Sequence, residues 1–247
     1  MGLFGRKKKG ENPSAAEEPS PTNLVDEGRA AFLRGVQAQI EKDPMLGNRL
    51  ASKEVLQRLL DALKNDRGVQ IEAVATVIGA FAGRACHLAA HEGVTKQLPE
   101  YAGRGVMAVQ GADGETYMLG DAINWPLAER EFSVWALVAG FAQSKGSVLP
   151  DLMELFSHSA ATLGGPEFGR PRYAEGTGVG QTPAQYLVAW EPTIAHVVPF
   201  AASPQQWPIV FGLAAQELFE MTKGQFDLEV LTRIVMDSAI ATSKIRA

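Results

Sequence analysis

One segment, Val69 to about His91, constrains the fold more strongly than the rest of the chain. Its large apolar side chains recur at alternating intervals of three and four residues, which places them along one stripe of a helix. They are Ile71, Val74, Ile78, Phe81, Ala85 and Leu88. Another side carries small residues, among them Gly79 and Gly83, which allow a second helix to approach closely. We therefore expect this helix to be central, with neighbours on more than one side.

Similar apolar periodicity predicts further helices before and after this segment. The first runs from Leu24 to Lys42, with Asn23 as its expected N-cap. The second runs from about Lys53 to Asn65, with Ser52 as its cap. Later helical segments are predicted at residues 132–143, 150–163, 183–198, 204–222 and 227–245. Pro192 is expected to kink or split the segment that contains it, because proline cannot donate a helical hydrogen bond.

A β-hairpin is predicted at about residues 105–119. Two short apolar runs, residues 106–110 and 116–119, flank Gly111-Ala-Asp-Gly114, and Asp-Gly between apolar runs supplies the positive φ angle that a tight turn needs. Two strands alone are marginally stable, so the hairpin must lie against the helices or pair with an edge strand of a partner. The predicted fold class is mainly α: a single-domain, helical bundle-like fold with one inserted β-hairpin.

Residues 1–22 have the composition of a disordered tail, and residues 23–247 form the predicted helical domain. The tail has few large apolar side chains and carries Pro, Ser and Glu. Its Met-Gly start resembles a myristoylation signal, but Arg6 occupies the position that requires Ser or Thr. Two interpretations follow: a plain solubilising leader, or weak contact of Leu3, Phe4 and the basic run 6–9 with an acidic membrane surface.

Charge and hydropathy exclude several classes of function. The formal net charge of -5 argues against nonspecific nucleic-acid binding, which requires clustered Lys and Arg residues that neutralise phosphates. The basic run near the start is not followed by the apolar region that a signal peptide needs. The most membrane-like stretch, residues 73–90, contains Arg84 and His87 and is rich in Ala and Gly. We interpret it as a core helix and not as a membrane span.

The single cysteine, Cys86, excludes an intrachain disulfide. One cysteine in a chain of this length is typical of a reducing compartment, so we expect a cytoplasmic location. The residue lies inside the apolar helical pattern, where only Arg84 and His87 are close enough in sequence to activate it. We interpret Cys86 as a buried structural thiol and not as a nucleophile.

Two pairs of side chains have the spacing of helical metal ligands. His87 and His91 stand four residues apart, and Glu154 and His158 have the same spacing on another predicted helix. However, the HLAAH segment lacks the glutamate of the zinc-protease motif. On a helical wheel, His87 also lies about 140° from the centre of the apolar stripe. We therefore interpret these residues as ordinary exposed or cap-region histidines and expect neither a metal nor a cofactor.

A long break at residues 164–182 is rich in glycine and arginine. It contains Arg170, Arg172 and Tyr173, and its glycines precede Thr182 and Pro183, which form a good helix start. Backbone N–H groups at such a start can bind an anion, with an arginine supplying charge. Neither GxGxxG nor GxxxxGK is present, so dinucleotide and P-loop sites are excluded. We interpret the segment as a mobile loop or one ordered by a partner, with Arg170, Arg172 and Tyr173 as candidate partner- or anion-binding residues.

No catalytic signature accompanies these features, and the GxSxG element of many hydrolases is absent. We expect a non-enzymatic soluble protein that binds a protein partner through the hairpin edge or the loop, in a bacterial accessory, adaptor or immunity-type role. The alternative is an enzyme. It would depend on a metal held by His87, His91, Glu154 and His158, or it would bind an anion at residues 164–182.

Overall fold

The computed structural model describes residues 21–173 and 180–246. The α-helices are α1 (Pro21–Ile40), α2 (Pro44–Ala62), α3 (Ile71–Thr95), α4 (Asp121–Asn124), α5 (Val134–Ser144), α6 (Leu152–Ala161), α7 (Pro183–Tyr186), α8 (Trp190–Val197), α9 (Trp207–Met221) and α10 (Leu228–Thr242). The strands are β1 (Lys64–Asn65), β2 (Gly68–Val69), β3 (Met107–Gln110) and β4 (Thr116–Leu119). The predicted fold class, mainly α with an inserted hairpin, is confirmed.

Shorter helical turns connect some of these elements. Two 3₁₀ turns lie at Pro99–Tyr101 and Leu187–Ala189, and a π-helical turn lies at Trp125–Glu129. The region predicted as one helix at residues 183–198 therefore divides into α7, a 3₁₀ turn and α8. Pro192 stands in the first turn of α8, where its missing N–H group interrupts no helical hydrogen bond. The segment is therefore divided, but at Leu187–Ala189 and not at Pro192 as predicted.

Helix α3 is the centre of the fold. It packs against α10 and α9 and also contacts α4 and α7, and most of its residues are buried. Among the described helices, α3 is the one long and apolar enough to cross a membrane by length and composition alone, and 89% of its qualifying window is buried inside the protein. A helix covered in this way by its own chain is packed as a core helix, as its sequence predicts.

The small residues of α3 face α10. A Cβ atom added at Gly79 would overlap the backbone carbonyl of Val235, and one added at Gly83 would overlap that of Ala239. The Thr242 hydroxyl also donates a hydrogen bond of 2.9 Å across the interface to the Ala80 carbonyl. The expected close approach of a second helix is therefore confirmed, and α10 is that helix.

Helix α2 begins earlier than its sequence predicts. Its N-cap is Asp43, whose carboxylate accepts a 3.0 Å hydrogen bond from the Met45 amide. The expected cap, Ser52, is instead buried inside the helix, and its hydroxyl donates to the Arg49 carbonyl. Gly47 and Asn48 are weak helix formers by themselves, but Gly47 packs directly on the backbone of Phe200. Tertiary contact therefore extends the helix beyond its local signal.

Two further boundaries differ from the sequence-based expectation. Helix α1 begins at Pro21, so Asn23 lies within the helix and is not its N-cap. The break after α2 contains a very short hairpin, β1–β2, in which the Asn65 side chain accepts a 2.8 Å hydrogen bond from the Arg67 amide. Residues 1–20, which hold most of the predicted tail, and residues 174–179 of the Gly- and Arg-rich segment lie outside the described residues.

The β3–β4 hairpin is attached to the helical domain at two places. Ala108 lies opposite Met118 in the antiparallel register, and the Met118 amide donates a 2.8 Å hydrogen bond to the Lys244 carbonyl, just after α10. At the tip, the Ala112 amide donates to the Leu163 carbonyl. The expectation that the hairpin must rest on other parts of the fold is met by the chain itself.

Side chains at the tip of the hairpin stabilise its turn and fix the hairpin on the chain that follows α6. Gly114 has a φ of +83°, as the Asp-Gly pair predicts. The Asp113 carboxylate accepts hydrogen bonds from the Glu115 amide and the Tyr117 hydroxyl. The Tyr117 ring packs edge-on against Phe168, with 5.0 Å between ring centroids. One face of the hairpin is therefore fixed on the segment that follows α6.

Candidate functional site

The four side chains considered as metal ligands are not assembled into one centre. His87 and His91 share one side of α3, but the Glu154 carboxylate on α6 pairs with Arg172 and Arg233. Within residues 21–173 and 180–246, no group of three or more His, Cys, Asp or Glu side chains is placed to hold a metal ion. The arrangement therefore gives the metal-dependent alternative no ligand set.

His87 is buried, which differs from the expectation of an exposed histidine. Only 7% of the residue is exposed, because the chain after α10 covers the side of α3 that a single apolar stripe leaves open. The His87 Nδ1 atom lies 3.0 Å from the Ser243 carbonyl oxygen. Burial lowers the pKa of His87, and the charges of Arg84 and His91 act in the same direction, against the opposing effect of the Ser243 hydrogen bond. The imidazole is therefore neutral at pH 7.

The described part of the Gly- and Arg-rich segment is held on the helical domain by Arg172. Its backbone amide and its Nε atom both donate to Asp237 Oδ2, at 3.2 and 3.1 Å, and its Nη2 donates to Oδ1 at 3.0 Å. The same guanidinium also pairs with Glu154. Although burial acts to lower the pKa of Arg172, the hydrogen bonds with Asp237 and Glu154 raise it above its usual value. The carboxylates of Asp237 and Glu154 therefore already bind the guanidinium N–H groups that would have to hold an anion.

Tyr173 makes an internal contact, whereas Arg170 is exposed. The Tyr173 hydroxyl lies 2.9 Å from Thr76 Oγ1, and because the Thr76 hydroxyl donates to the Glu72 carbonyl, Tyr173 is the donor of the pair. Arg170 is exposed and lines a polar cavity with Glu167, Tyr173 and Thr182. Arg172 and Tyr173 thus make internal contacts, and a binding role for the three residues stays a prediction.

The helix start after this segment is already capped. Thr182 and Gln185 form a reciprocal capping box, in which the Thr182 amide donates a 2.7 Å hydrogen bond to Gln185 Oε1. Helix α7 is also only four residues long. The Thr182 and Gln185 N–H groups are therefore bonded within the chain, and the short length of α7 gives little dipole to attract an anion.

Cys86 is buried in α3. Burial raises the pKa of its thiol to about 12, although the nearby charge of Arg130 acts in the opposite direction. The nucleophilic form of a cysteine is the thiolate, and at pH 7 this side chain holds its proton. The geometry agrees with the structural role predicted from the sequence.

An apolar pocket lies between the last turns of α3 and the β3–β4 hairpin. It has a volume of about 120 Å³. Its lining residues are His87, Ala90, His91, Val94, Thr95, Val106, Met118 and Ile123. This pocket could not be predicted from the sequence, because its two walls come from elements that are distant along the chain. The four-residue spacing of His87 and His91, which does place both on one side of α3, was the available signal.

Strand β3 forms a free edge beside this pocket. Because the Met118 amide points away from β3 to Lys244, Ala108 and Met118 form a pair without hydrogen bonds between them, and the Ala108 N–H and C=O groups also point away from the hairpin. The same alternation directs the backbone groups of Val106 and Gln110 outward. Across the described ranges, no backbone partner reaches these outward-facing groups.

The surface around this edge is apolar. Val94 in the pocket lining is 40% exposed, and Met107, on the other face of β3, is 62% exposed. The six residues from Val106 to Gly111 include no charged residue and no proline. Proteins usually protect an edge strand with such residues, because an open apolar edge pairs with other strands. Val106 belongs both to the outward-facing edge and to the pocket lining, so the two adjoin, and we call them together the β3 site.

A buried lysine lies on the opposite edge of the hairpin. The Lys244 ammonium donates hydrogen bonds to Ser159 Oγ at 2.9 Å and to the Ile240 carbonyl at 3.2 Å, and only 7% of the residue is exposed. Burial lowers its pKa to about 7. Among the described residues, Lys244 has no ion-pair partner, which is unusual for a buried lysine.

Comparison with models of protein families, with curated proteins and with solved structures found no match for this chain.

Proposed function

We propose that this protein binds an extended segment of a partner polypeptide, which pairs with β3 as an added strand. The observation that carries the proposal is the outward-facing N–H and C=O groups of Ala108 and Gln110, left without backbone partners in the described part of the fold. Strand addition satisfies these groups with main-chain hydrogen bonds, and pockets beside the edge then select side chains.

The β3 site offers the features of peptide recognition. The side chains that line its pocket are apolar apart from two histidines and a threonine, with neither a cysteine nor a carboxylate. On β3 itself, Gln110 adds an exposed amide. An apolar surface with a row of free backbone groups binds strands through burial and pairing. This chemistry supports a non-enzymatic binding role.

The partner we propose is a different chain and not a second copy of this one. If two β3 strands paired antiparallel through their outward groups, residues directly opposite each other would share a face. The second copy would then present its own Val106, Ala108 and Gln110 on the pocket side. Two of these side chains are small or short, and the third is polar, so they fill an apolar pocket poorly. A partner segment with a larger apolar side chain suits the site better.

The wider role that we propose is that of an accessory or adaptor protein in the bacterial cytoplasm. The single cysteine, which needs no oxidising compartment, supports this location.

The proposal is tested with the variant Ala108→Pro. Proline is tolerated on an edge strand where the N–H group faces solvent, but it removes the central donor that an added strand needs. Linear peptides are selected from a random display library on the wild-type protein, and their affinities are then measured by fluorescence anisotropy. We expect Ala108→Pro to weaken binding by at least about tenfold, the loss of roughly one hydrogen bond and its geometry. The control Ala108→Ser, which keeps the N–H group, should bind as the wild type does.

Two results would contradict the proposal. Either the library yields no binder, or its binders have equal affinity for the wild type and Ala108→Pro. Sedimentation velocity measures whether a second copy of the chain occupies the edge. A wild-type dimer that becomes a monomer in Ala108→Pro would assign the edge to that second copy. Thermal melting of both variants verifies that the fold is retained.

A further inference from the structure

The hydrogen bond to Ser243 fixes which nitrogen of His87 can bind a ligand. A carbonyl oxygen only accepts, so the His87 Nδ1 atom, 3.0 Å from the Ser243 oxygen, carries the ring proton. In a neutral imidazole the other nitrogen, Nε2, is then an acceptor. No hydrogen bond to Nε2 occurs within the described residues, and His87 lines the apolar pocket. The pocket lining therefore includes one buried acceptor with a fixed tautomer, beside the exposed His91 and Thr95.

The size of the pocket corresponds to one aromatic ring. Its volume is about 120 Å³, and an engineered protein cavity on the order of 150 Å³ binds benzene. The walls are formed by Ala90, Val94, Val106, Met118 and Ile123. Met118 adds a thioether, which packs favourably on ring edges. An aromatic ring that carries one hydrogen-bond donor would match both the shape and the acceptor.

We infer that the pocket takes the phenol ring of a tyrosine from the bound segment, with the tyrosine hydroxyl donating a hydrogen bond to His87 Nε2. This inference rests on the proposed function, because it names the side chain that a partner strand on β3 inserts. Strand pairing brings alternate side chains of the partner to the face where Val106 and Met118 meet the pocket.

Other side chains fit the pocket less well. A phenylalanine ring would fill it but would leave the His87 acceptor covered and unpaired, which costs binding free energy. A lysine or arginine would lose its hydration without meeting a carboxylate, because the pocket lining contains neither Asp nor Glu. An indole supplies a donor but is larger than one ring. Tyrosine combines one ring with one donor.

Small-molecule probes test the pocket without the partner. p-Cresol and toluene, the side-chain analogues of tyrosine and phenylalanine, are titrated into the wild-type protein, and binding is followed by NMR. We expect p-cresol to bind at least about tenfold more tightly than toluene, since sites built to bond a hydroxyl reject the analogue that lacks it. The ¹⁵N resonance of His87 Nε2 should shift with p-cresol and stay unchanged with toluene.

Two variants assign the preference to His87. His87→Phe should remove the difference between the two probes, whereas the control His91→Gln, at the exposed imidazole on the same pocket, should preserve it. Equal affinities of the wild type for p-cresol and toluene would overturn the inference, even if His87→Phe fails to fold. A His87 Nε2 resonance that does not shift with p-cresol would overturn it as well. A preference lost in His91→Gln and kept in His87→Phe would also overturn it.

The failure of this inference is distinguishable from the failure of the proposed function. If selected peptides lose affinity in Ala108→Pro but the wild type binds p-cresol and toluene equally, strand addition stands and the tyrosine assignment is wrong. If the wild type prefers p-cresol but Ala108→Pro binds the selected peptides unchanged, the pocket chemistry stands and strand addition on β3 is wrong.

Discussion

Along its first half, α3 meets α10 backbone against backbone, whereas its last turns face an open pocket and the β3–β4 hairpin. At the first contact, Gly79 and Gly83 leave no room for a side chain, and the carbonyls of α10 fill the space. At the second, His87 is buried beside an apolar pocket and Val94 is exposed. The same helix therefore serves two purposes: its first half fixes the fold, and its second half presents a surface.

The two regions also differ in how they treat polar groups. In the α3–α10 contact, Thr242 is buried with its hydroxyl bonded to Ala80, so close packing and satisfied hydrogen bonds act together. Near the hairpin, His87 and Lys244 are buried with lowered pKa values, and burial is the main cause in both cases. Groups that cost stability in this way are concentrated at functional sites more often than in cores.

The largest effect is expected from filling the α3–α10 contact. Gly83→Leu places side-chain atoms where the Ala239 carbonyl and the Ser243 amide lie, so the helices must separate. We expect a loss of about 3 kcal/mol or more in the free energy of unfolding, measured by urea denaturation. The control is Gly140→Ala in α5, where a Cβ meets nothing within 4 Å. It should raise stability by about 0.5–1 kcal/mol, and an equal loss in both variants would contradict the close contact.

An intermediate effect, of opposite sign, is expected at Lys244. The pKa of this lysine is about 7 in the folded protein, against 10.5 for a lysine side chain in water, so the unfolded chain binds the additional proton between these values. The free energy of unfolding should therefore rise as pH increases from about 7 towards 10. Below pH 7, the full cost of burying the charged ammonium should be present. Lys244→Met removes the penalty. We expect it to stabilise the protein by about 1–4 kcal/mol at pH 7, with a smaller gain at pH 9.

The reference for this measurement is Lys96→Met, at an exposed lysine on the C-terminal side of α3 that pairs with Glu92. Its unfolding free energy should change by less than about 0.5 kcal/mol at either pH. Urea denaturation of all three proteins at pH 7 and pH 9 gives the comparison. If Lys244→Met is destabilising at pH 7, or if its effect is the same at both values, the lysine is not buried as an unpaired cation.

Local sequence patterns predict which elements form in this fold better than they predict the contacts between those elements. The 3-4 spacing from Ile71 to Leu88 predicts α3, and the Asp113-Gly114 pair predicts the hairpin, because both signals depend on neighbours in sequence. The start of α2 at Pro44 could not be predicted in the same way. It depends on the contact between Gly47 and Phe200, which are far apart along the chain.

The candidate site depends even more on long-range contacts. The helical wheel places His87 away from the apolar stripe, but it cannot show that the chain after α10 returns to cover that side. The free edge of β3 follows from the bond between the Met118 amide and Lys244, which decides the direction of every backbone group in the hairpin. The hairpin edge was predicted as a binding surface, and the pocket beside it was not.

Amide hydrogen exchange at β3 tests the central claim most directly. In the free protein, the Val109 amide, which faces β4, should be protected, and the Ala108 and Gln110 amides should exchange rapidly. With a selected peptide bound, the Ala108 and Gln110 amides should slow by at least about tenfold, because they now donate to an added strand. Unchanged exchange at these two amides in the saturated complex would contradict strand addition at β3.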